Sequence, residues 1–159
     1  MKILALVITS KLFWNFGFGI IVPSGLSNNL IKSGGFFKSS LTLKLNQVIS
    51  SGVEGSLTSF VLSGTGTSSL KVFSISPFFG ITPFPSFEGL KFMPNILLSR
   101  FNLENPVNRS PFFGLGYGLC TEIKIISRPI KSSVLLEYNS YPSSHSRFSW
   151  FNLGIRLGI

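Results

Sequence analysis

Residues 112 to 125 alternate between large and small side chains along their whole length, and this alternation constrains the fold most. One parity holds Phe113, Leu115, Tyr117, Leu119, Thr121, Ile123 and Ile125, and the other holds Gly114, Gly116, Gly118, Cys120, Glu122 and Lys124. Successive side chains of a β-strand point to opposite faces of the sheet. The run therefore predicts a strand with one apolar face and one small or charged face.

Two other segments show the same period of two. Residues 147 to 159 place Phe151, Leu153, Ile155, Leu157 and Ile159 on one face, and residues 41 to 46 alternate leucines with Thr42, Lys44 and Asn46. The longer runs exceed the usual strand of about 5 to 6 residues and reach the roughly 9 to 11 that a tilted strand needs to cross hydrocarbon. Glycines on the polar face suit the crowded interior of a narrow barrel. The pattern favours a membrane barrel.

The same reasoning divides the rest of the chain into strands. Candidate strands are 15–22, 36–49, 53–62, 70–81, 90–101, 112–125, 133–141 and 147–159. These predict an all-β fold, a closed antiparallel up-and-down transmembrane β-barrel of about eight strands, as a single domain over residues 15 to 159. Pro94 lies in the middle of the fifth strand and predicts a bulge or a break there. The inward parity of that strand stays open.

The connections alternate in character along the chain. Those after the first, third, fifth and seventh strands are 23–29, 63–68, 102–110 and 142–146, which are polar and rich in turn residues. These are expected to be the outward loops. Residues 50–52, 83–89 and 127–132 are expected to form the opposite side, together with both chain ends.

The N-terminus has features of an export signal. Lys2 precedes the apolar run 3–8, as a positive n-region precedes an h-region, so residues 1 to 14 are a possible secretory signal peptide. The alternative is a retained N-terminal strand or tail. A helical span is disfavoured, because the uncharged stretch 12–31 is interrupted by Gly17, Gly19 and Pro23.

Composition removes most enzymatic functions. The chain has 14 Lys and Arg against 5 acidic residues, all Glu, with one His and one Cys. We expect no catalytic residues, no cofactor and no metal, because paired acids, histidines and cysteines are nearly absent. The formal charge is +9, yet no two basic residues are adjacent, so a nucleic-acid partner is not expected.

Six charged side chains fall on parities that would face the barrel lumen. They are Lys44, Glu54, Glu122, Lys124, Glu137 and Arg156. One reading is an ion-lined pathway, and the other is a plug of paired charges. The plug is favoured, because eight strands leave an interior only wide enough for side chains and unpaired buried charges are costly.

Aromatic side chains gather near the predicted strand ends. They are Phe36, Phe37, Phe84, Phe87, Phe112, Tyr138, Tyr141 and Phe148. Aromatic rings at both strand ends are typical of the two interfaces of a membrane barrel. We therefore expect these residues to form aromatic girdles.

Three segments together carry a resemblance to a known family. Residues 15–25, 113–118 and 151–159 look like parts of a small bacterial outer-membrane β-barrel protein of about eight strands. The resemblance implies an integral outer-membrane protein exported across the inner membrane. It implies a non-enzymatic role in envelope structure, anchoring or surface contact through the loops. Family members usually end in an aromatic residue, whereas this chain has Ile159 there.

The two leading hypotheses, a membrane barrel and a soluble carrier, differ in what surrounds the barrel. A membrane barrel meets the lipid bilayer, where its excess of Lys and Arg favours anionic head groups, and the loop partner is unspecified. The alternative is a secreted soluble lipocalin-like barrel that carries a small apolar ligand. That alternative requires the parities to be inverted, with the apolar side chains inside.

Overall fold

The computed structural model describes residues 11–24, 29, 31–63, 68–84, 89–104, 111–126, 130–142 and 147–158. Its strands are β1 (Lys11–Ser24), β2 (Ile31–Lys44), β3 (Ile49–Leu62), β4 (Ser69–Ile81), β5 (Leu90–Glu104), β6 (Pro111–Ile126), β7 (Lys131–Pro142) and β8 (Arg147–Gly158). In these ranges no helix has the length and apolarity needed to cross a membrane.

The eight strands close into one barrel. Each strand pairs antiparallel with the next in sequence, and β1 pairs with β8 from Asn15 opposite Gly158 to Ser24 opposite Ser149. Closure satisfies the backbone groups that an edge strand would leave unpaired. The predicted closed antiparallel up-and-down β-barrel of eight strands is confirmed.

The barrel has two ends with different connections. The turn end holds Lys11, Gly158 and the connections after β2, β4 and β6, and the loop end holds those after β1, β3, β5 and β7. Most residues of the predicted outward loops lie outside the described ranges, as do residues 1 to 10. The last four residues of the predicted signal segment, 11 to 14, pair with β2.

The turn between β2 and β3 lies earlier than the sequence predicts. Residues 45–48 form it, because the Asn46 side-chain oxygen accepts hydrogen bonds from the backbone N–H groups of Val48 at 2.8 Å and Ile49 at 2.7 Å. The predicted turn at 50–52 is strand instead. Gly52 is needed there, since a Cβ would collide with the Leu41 carbonyl and the Phe78 ring.

Pro94 neither bulges nor breaks β5. The strand is continuous, and its register with β4 is the same on both sides of Pro94, with Leu98 opposite Ile75 and Phe92 opposite Ile81. Pro94 is exposed and lies opposite Leu119 of β6. The prediction of a bulge or break was therefore wrong. The inward parity of β5 runs through Met93, which is buried like every second residue up to 101.

Candidate functional site

The barrel exterior is an apolar belt. In the described ranges, 32 large hydrophobic side chains are exposed, among them Phe113 at 79%, Leu115 at 63% and Ile155 at 43%. A water-soluble monomer rarely exposes apolar patches of this extent. A soluble carrier would bury these side chains, so the orientation is the opposite of the one that the lipocalin-like alternative requires.

Outward charges are confined to the margins of the belt. Lys32, Lys71, Arg100 and Glu104 are all near the loop end, whereas Lys11, at the turn end, lies on the lumenal parity of β1 opposite Lys44. Lys71 Nζ pairs with Glu104 Oε1 at 2.8 Å across β4 and β5. Between these margins the outward residues of the described strands are uncharged. Such a band is the surface that hydrocarbon wets in a transmembrane barrel.

The lumen contains a charged cluster of Lys38, Glu54, Glu122, Glu137 and Arg156. Lys38 Nζ lies 2.7 Å from Glu54 Oε1 and also pairs with Glu137. Arg156 pairs with Glu54 and places Nη1 3.1 Å from Glu122 Oε2. Five strands thus contribute to one chain of ion pairs inside the barrel.

Glu137 is the most enclosed member of the charged cluster. Its side chain is fully buried and accepts hydrogen bonds from Asn95 at 3.1 Å, Asn139 at 3.1 Å and Asn152 at 2.6 Å, besides the pair with Lys38. A buried carboxylate needs hydrogen-bond donors and a cation around it, because the free-energy cost of removing it from water would otherwise be too large.

The six residues predicted to face the lumen lie at two heights along the barrel axis. Glu54, Glu137 and Arg156 are buried in the charged cluster, and Glu122 is there with a side chain 21% exposed. Its Oε1 also accepts a hydrogen bond from Ser133 Oγ at 2.6 Å. Lys44 and Lys124 lie nearer the turn end and are half-buried. The structure therefore brings four of the six into one cluster, in which Arg156 contacts Glu54 and Glu122 directly and Glu137 is joined to them through Lys38.

Sequence reasoning missed Lys38, which joins Glu54 to Glu137. It shares the parity of Lys44 and Thr42, so extending the alternation of 41–46 backwards would have found it. The pair Phe36 and Phe37 hid that signal, because adjacent large aromatics do not indicate which face is inward. The polar partner Asn95 was missed because the parity of β5 was open.

An aromatic cluster fills the lumen between the charged cluster and the loop end. It comprises Phe60, Phe101, Tyr141, Phe148 and Trp150. Phe60 meets Trp150 edge-on with ring centroids 5.0 Å apart, and Tyr141 stacks on Trp150 at 5.4 Å. These geometries are favourable for aromatic pairs.

Glycines of β6 make room for these rings, as the sequence pattern predicts. A Cβ at Gly116 would lie 2.7 Å from the Tyr141 ring, and one at Gly114 would lie 2.8 Å from Phe101. Glycine on the inward face of β6 is therefore the complement of the bulky aromatics on β5, β7 and β8.

The aromatic cluster corrects part of the predicted girdles. Phe36 and Tyr141 are each 6% exposed inside the barrel, and Phe148 packs against the same core. Phe37 and Phe84 are exposed as expected. Phe112 is exposed too, but it lies on the inward parity of β6 and stacks on the lumenal Phe101 with ring centroids 4.7 Å apart. Tyr138 is half-buried, and Phe87 lies outside the described ranges. Position near a strand end does not determine the face, so this prediction was wrong for Phe36, Tyr141 and Phe148.

Comparison with known proteins gives fold similarity without close relatives. No protein-family profile and no curated protein matches the sequence. Neisserial surface protein A superposes with a TM-score of 0.67 and 12% identity, over 94% of this chain and 97% of that one. The Yersinia pestis outer membrane protein Ail in a phospholipid bilayer nanodisc gives 0.57 and 12%, over 94% and 100%. Ail crystallised with the heparin analogue sucrose octasulfate gives 0.54 and 11%, over 94% and 97%.

These similarities cover nearly the whole length of both partners in each comparison. At 12% identity or less they carry the fold alone. The chain has the eight-stranded closed barrel found in bacterial outer-membrane proteins, and the fold resemblance seen in the sequence is confirmed.

Proposed function

We propose that this protein is an integral outer-membrane barrel with a filled lumen, which acts in envelope structure, anchoring or surface contact through the connections at its loop end. The observation that carries the proposal is the uncharged apolar belt around a closed barrel. Hydrocarbon stabilises such a surface, whereas water does not.

Transport through the lumen is not part of the proposed role. The charged cluster and the aromatic cluster lie one above the other, and Trp150 Nε1 joins them by donating to Asn152 Oδ1 at 3.0 Å. Eight-stranded barrels have room for side chains and little else. The filled lumen supports the plug of paired charges over an ion-lined pathway.

A catalytic role is not proposed either. Cys120, the one cysteine, is 2% exposed in the lumen. A nucleophile needs an accessible thiolate near an activating group, and this thiol has no access to solvent. The buried carboxylates Glu54 and Glu137 are both held by cations, which suits a structural use.

Fractionation and gel migration test the membrane assignment. We expect the protein in the outer-membrane fraction, and we expect unboiled samples to migrate differently from boiled ones, because closed barrels resist unfolding in detergent.

Conductance measurements test the filled lumen. A planar bilayer containing the folded protein should show no steady ionic conductance. Recovery as a soluble periplasmic monomer would contradict the membrane assignment, and a steady open-channel current would contradict the filled lumen.

Export is proposed to depend on a signal within residues 1 to 14. Lys2 and the apolar run after it support this. N-terminal sequencing of the membrane-inserted protein is the direct test. Retention of Met1 in the inserted form would contradict cleavage of a signal.

Anionic lipid head groups are the proposed partners of the loop-end margin. Arg100 borders an exterior groove of about 660 Å³ lined by Phe73, Ile75, Leu98 and Leu115. Apolar walls suit an acyl chain, and the guanidinium beside them suits a head-group phosphate.

Retention of lipid by the isolated protein tests this partner. We expect Arg100→Gln to reduce the phosphatidylglycerol retained in native mass spectrometry, while Lys11→Gln at the turn end leaves it unchanged. Equal retention by the wild type and Arg100→Gln would contradict a head-group role for Arg100.

A further inference from the structure

Three neighbouring strands place Asn95, Gly118 and Asn139 in one row on the inner wall of the barrel. Asn95 of β5 lies opposite Gly118 of β6, and Gly118 lies opposite Asn139 of β7. Both asparagines point into the lumen, where Asn95 is 8% exposed and Asn139 is 3% exposed. Side chains that are neighbours across strands are close enough to interact. The two amides therefore meet over a glycine, which has no side chain of its own.

Glu137 fixes the orientation of both amides. Asn95 Nδ2 donates to Glu137 Oε1 and Asn139 Nδ2 donates to Glu137 Oε2, each at 3.1 Å. An ionised carboxylate accepts hydrogen bonds and donates none, so only the NH2 end of an amide can face it. Reversing either amide would bring two oxygens together. Each Oδ1 atom must therefore point away from the carboxylate.

The two amide oxygens are buried and lack a donor. Neither Asn95 Oδ1 nor Asn139 Oδ1 has a hydrogen-bond partner in the part of the chain that the structure describes. They converge at Gly118, because a Cβ there would collide with Asn95 Oδ1 and would lie 2.8 Å from Asn139 Oδ1. The backbone oxygen of Tyr138 would lie 2.9 Å from the same Cβ. Oxygens that meet in this way are unfavourable unless a donor lies between them.

Asn152 shows how an amide of the same cluster is satisfied by the protein itself. Its Nδ2 also donates to Glu137, at 2.6 Å, but its Oδ1 accepts from Trp150 Nε1 at 3.0 Å. The three amides thus serve Glu137 in the same way and differ in what meets their oxygens. Asn95 and Asn139 need a donor that the neighbouring side chains do not supply.

We propose that one water molecule is bound at Gly118 and donates its two O–H groups to Asn95 Oδ1 and Asn139 Oδ1. A water is small, carries two donors, and commonly satisfies buried polar groups that no side chain reaches. It would link β5 to β7 across the glycine of β6. It lies on the amide oxygens and not on the carboxylate, so Glu137 itself is still surrounded only by protein donors.

A metal cation is the competing occupant, because amide oxygens also coordinate cations. The position of Lys38 favours water instead. Lys38 Nζ pairs with the same Glu137 carboxylate that holds both amides, and a second cation close to it would be repelled.

Cross-relaxation between water and protein protons tests the proposal. The sample is the full barrel in phosphatidylcholine nanodiscs, deuterated on carbon and protonated at its amides. A water held at Gly118 should give cross-relaxation peaks to the Gly118 amide proton and to the NH2 protons of Asn95 and Asn139. The peaks should have the sign of a slowly tumbling molecule. Their absence in the wild type would overturn the proposal.

Two matched variants separate this water from other exchangeable protons. Asn95→Leu and Asn152→Leu each remove one amide donor from Glu137, but only Asn95→Leu removes an oxygen that the water uses. The peak at Gly118 should vanish in Asn95→Leu and persist in Asn152→Leu, and nearby hydroxyl protons are the same in both. If Asn95→Leu does not fold, judged by gel migration, Asn139→Leu provides the same comparison. A peak that persists in the folded Asn95→Leu or Asn139→Leu barrel would overturn the proposal.

Exchange of the buffer cation tests the competing occupant. Replacing potassium by sodium or lithium at constant ionic strength should leave the Gly118 amide shift unchanged. A shift that saturates with the concentration of one cation would assign the site to a metal ion and overturn the assignment to water.

Discussion

The charged cluster and the aromatic cluster fill the same lumen by different physical means. The aromatic cluster excludes water by ring packing, with contacts such as Phe60 to Phe148 at 5.8 Å and Phe101 to Tyr141 at 5.0 Å. The charged cluster excludes water only because every carboxylate has a cation or an amide donor. Packing depends on shape and volume, whereas ion pairing depends on the number and position of charges.

This difference predicts different tolerance to substitution. A ring can be replaced by another apolar side chain, because neighbouring side chains repack around it. A fully buried carboxylate such as Glu137 has no such substitute, since even an isosteric amide removes one of the counter-charges of its buried cation. The two clusters should therefore respond unequally to changes of equal size.

The largest effect is expected for Glu137→Gln. This change preserves shape but removes the charge that Lys38 pairs with, and we expect a loss of about 3 to 5 kcal/mol in the free energy of unfolding. Urea unfolding in lipid vesicles, followed by tryptophan fluorescence, measures it. Glu104→Gln is the matched control, because its exposed pair with Lys71 contributes only about 0 to 1 kcal/mol. Equal losses in both variants would contradict the account of the charged cluster.

A smaller loss is expected for Phe60→Leu in the aromatic cluster. Phe60 is fully buried, so a smaller apolar side chain should cost about 1 to 2 kcal/mol through lost contacts and a partly filled cavity. The same unfolding experiment applies. If Phe60→Leu costs as much as Glu137→Gln, the two clusters do not differ in tolerance.

The smallest of the three lumenal effects is expected for Glu122→Gln. Glu122 is partly exposed, and the single oxygen of glutamine can still accept from Arg156 while its NH2 group donates to Ser133 Oγ, so we expect a loss of about 1 kcal/mol. Matched unfolding curves for the wild type and Glu122→Gln at low ionic strength test this. A curve identical to that of the wild type would argue against an inward role for this carboxylate.

The sequence alone was sufficient to predict the bounds and the inward face of a strand where the alternation of its two faces is uninterrupted. β6 and β8 were predicted within one residue of their observed ends, because Phe113 to Ile125 and Phe151 to Leu157 change face at every step. Inward placement of Glu122 and Arg156 follows from the same parity. In such strands local pattern and tertiary environment agree.

Sequence reasoning failed where both faces of a strand are apolar or where turn signals compete. Met93 to Leu98 has apolar side chains on both parities, with Asn95 the one polar residue among them, so the inward face of β5 could not be chosen. At the β2–β3 turn, Ser50 and Gly52 have turn-forming composition, yet the Asn46 side-chain oxygen, which accepts from the backbone N–H groups of Val48 and Ile49, placed the turn earlier. Tertiary packing decided the face of β5, whereas local hydrogen bonds to the Asn46 side chain decided the turn.

The central claim is that hydrocarbon wets the apolar face of the barrel, and site-directed labelling tests it most directly. In a Cys120→Ser background, Leu115→Cys in lipid vesicles should react with a membrane-dissolved maleimide and should be protected from a water-soluble one. Leu135→Cys, at a fully buried lumenal position, should react with neither. Reaction of Leu115→Cys with the water-soluble reagent alone, or with neither reagent, would contradict the claim.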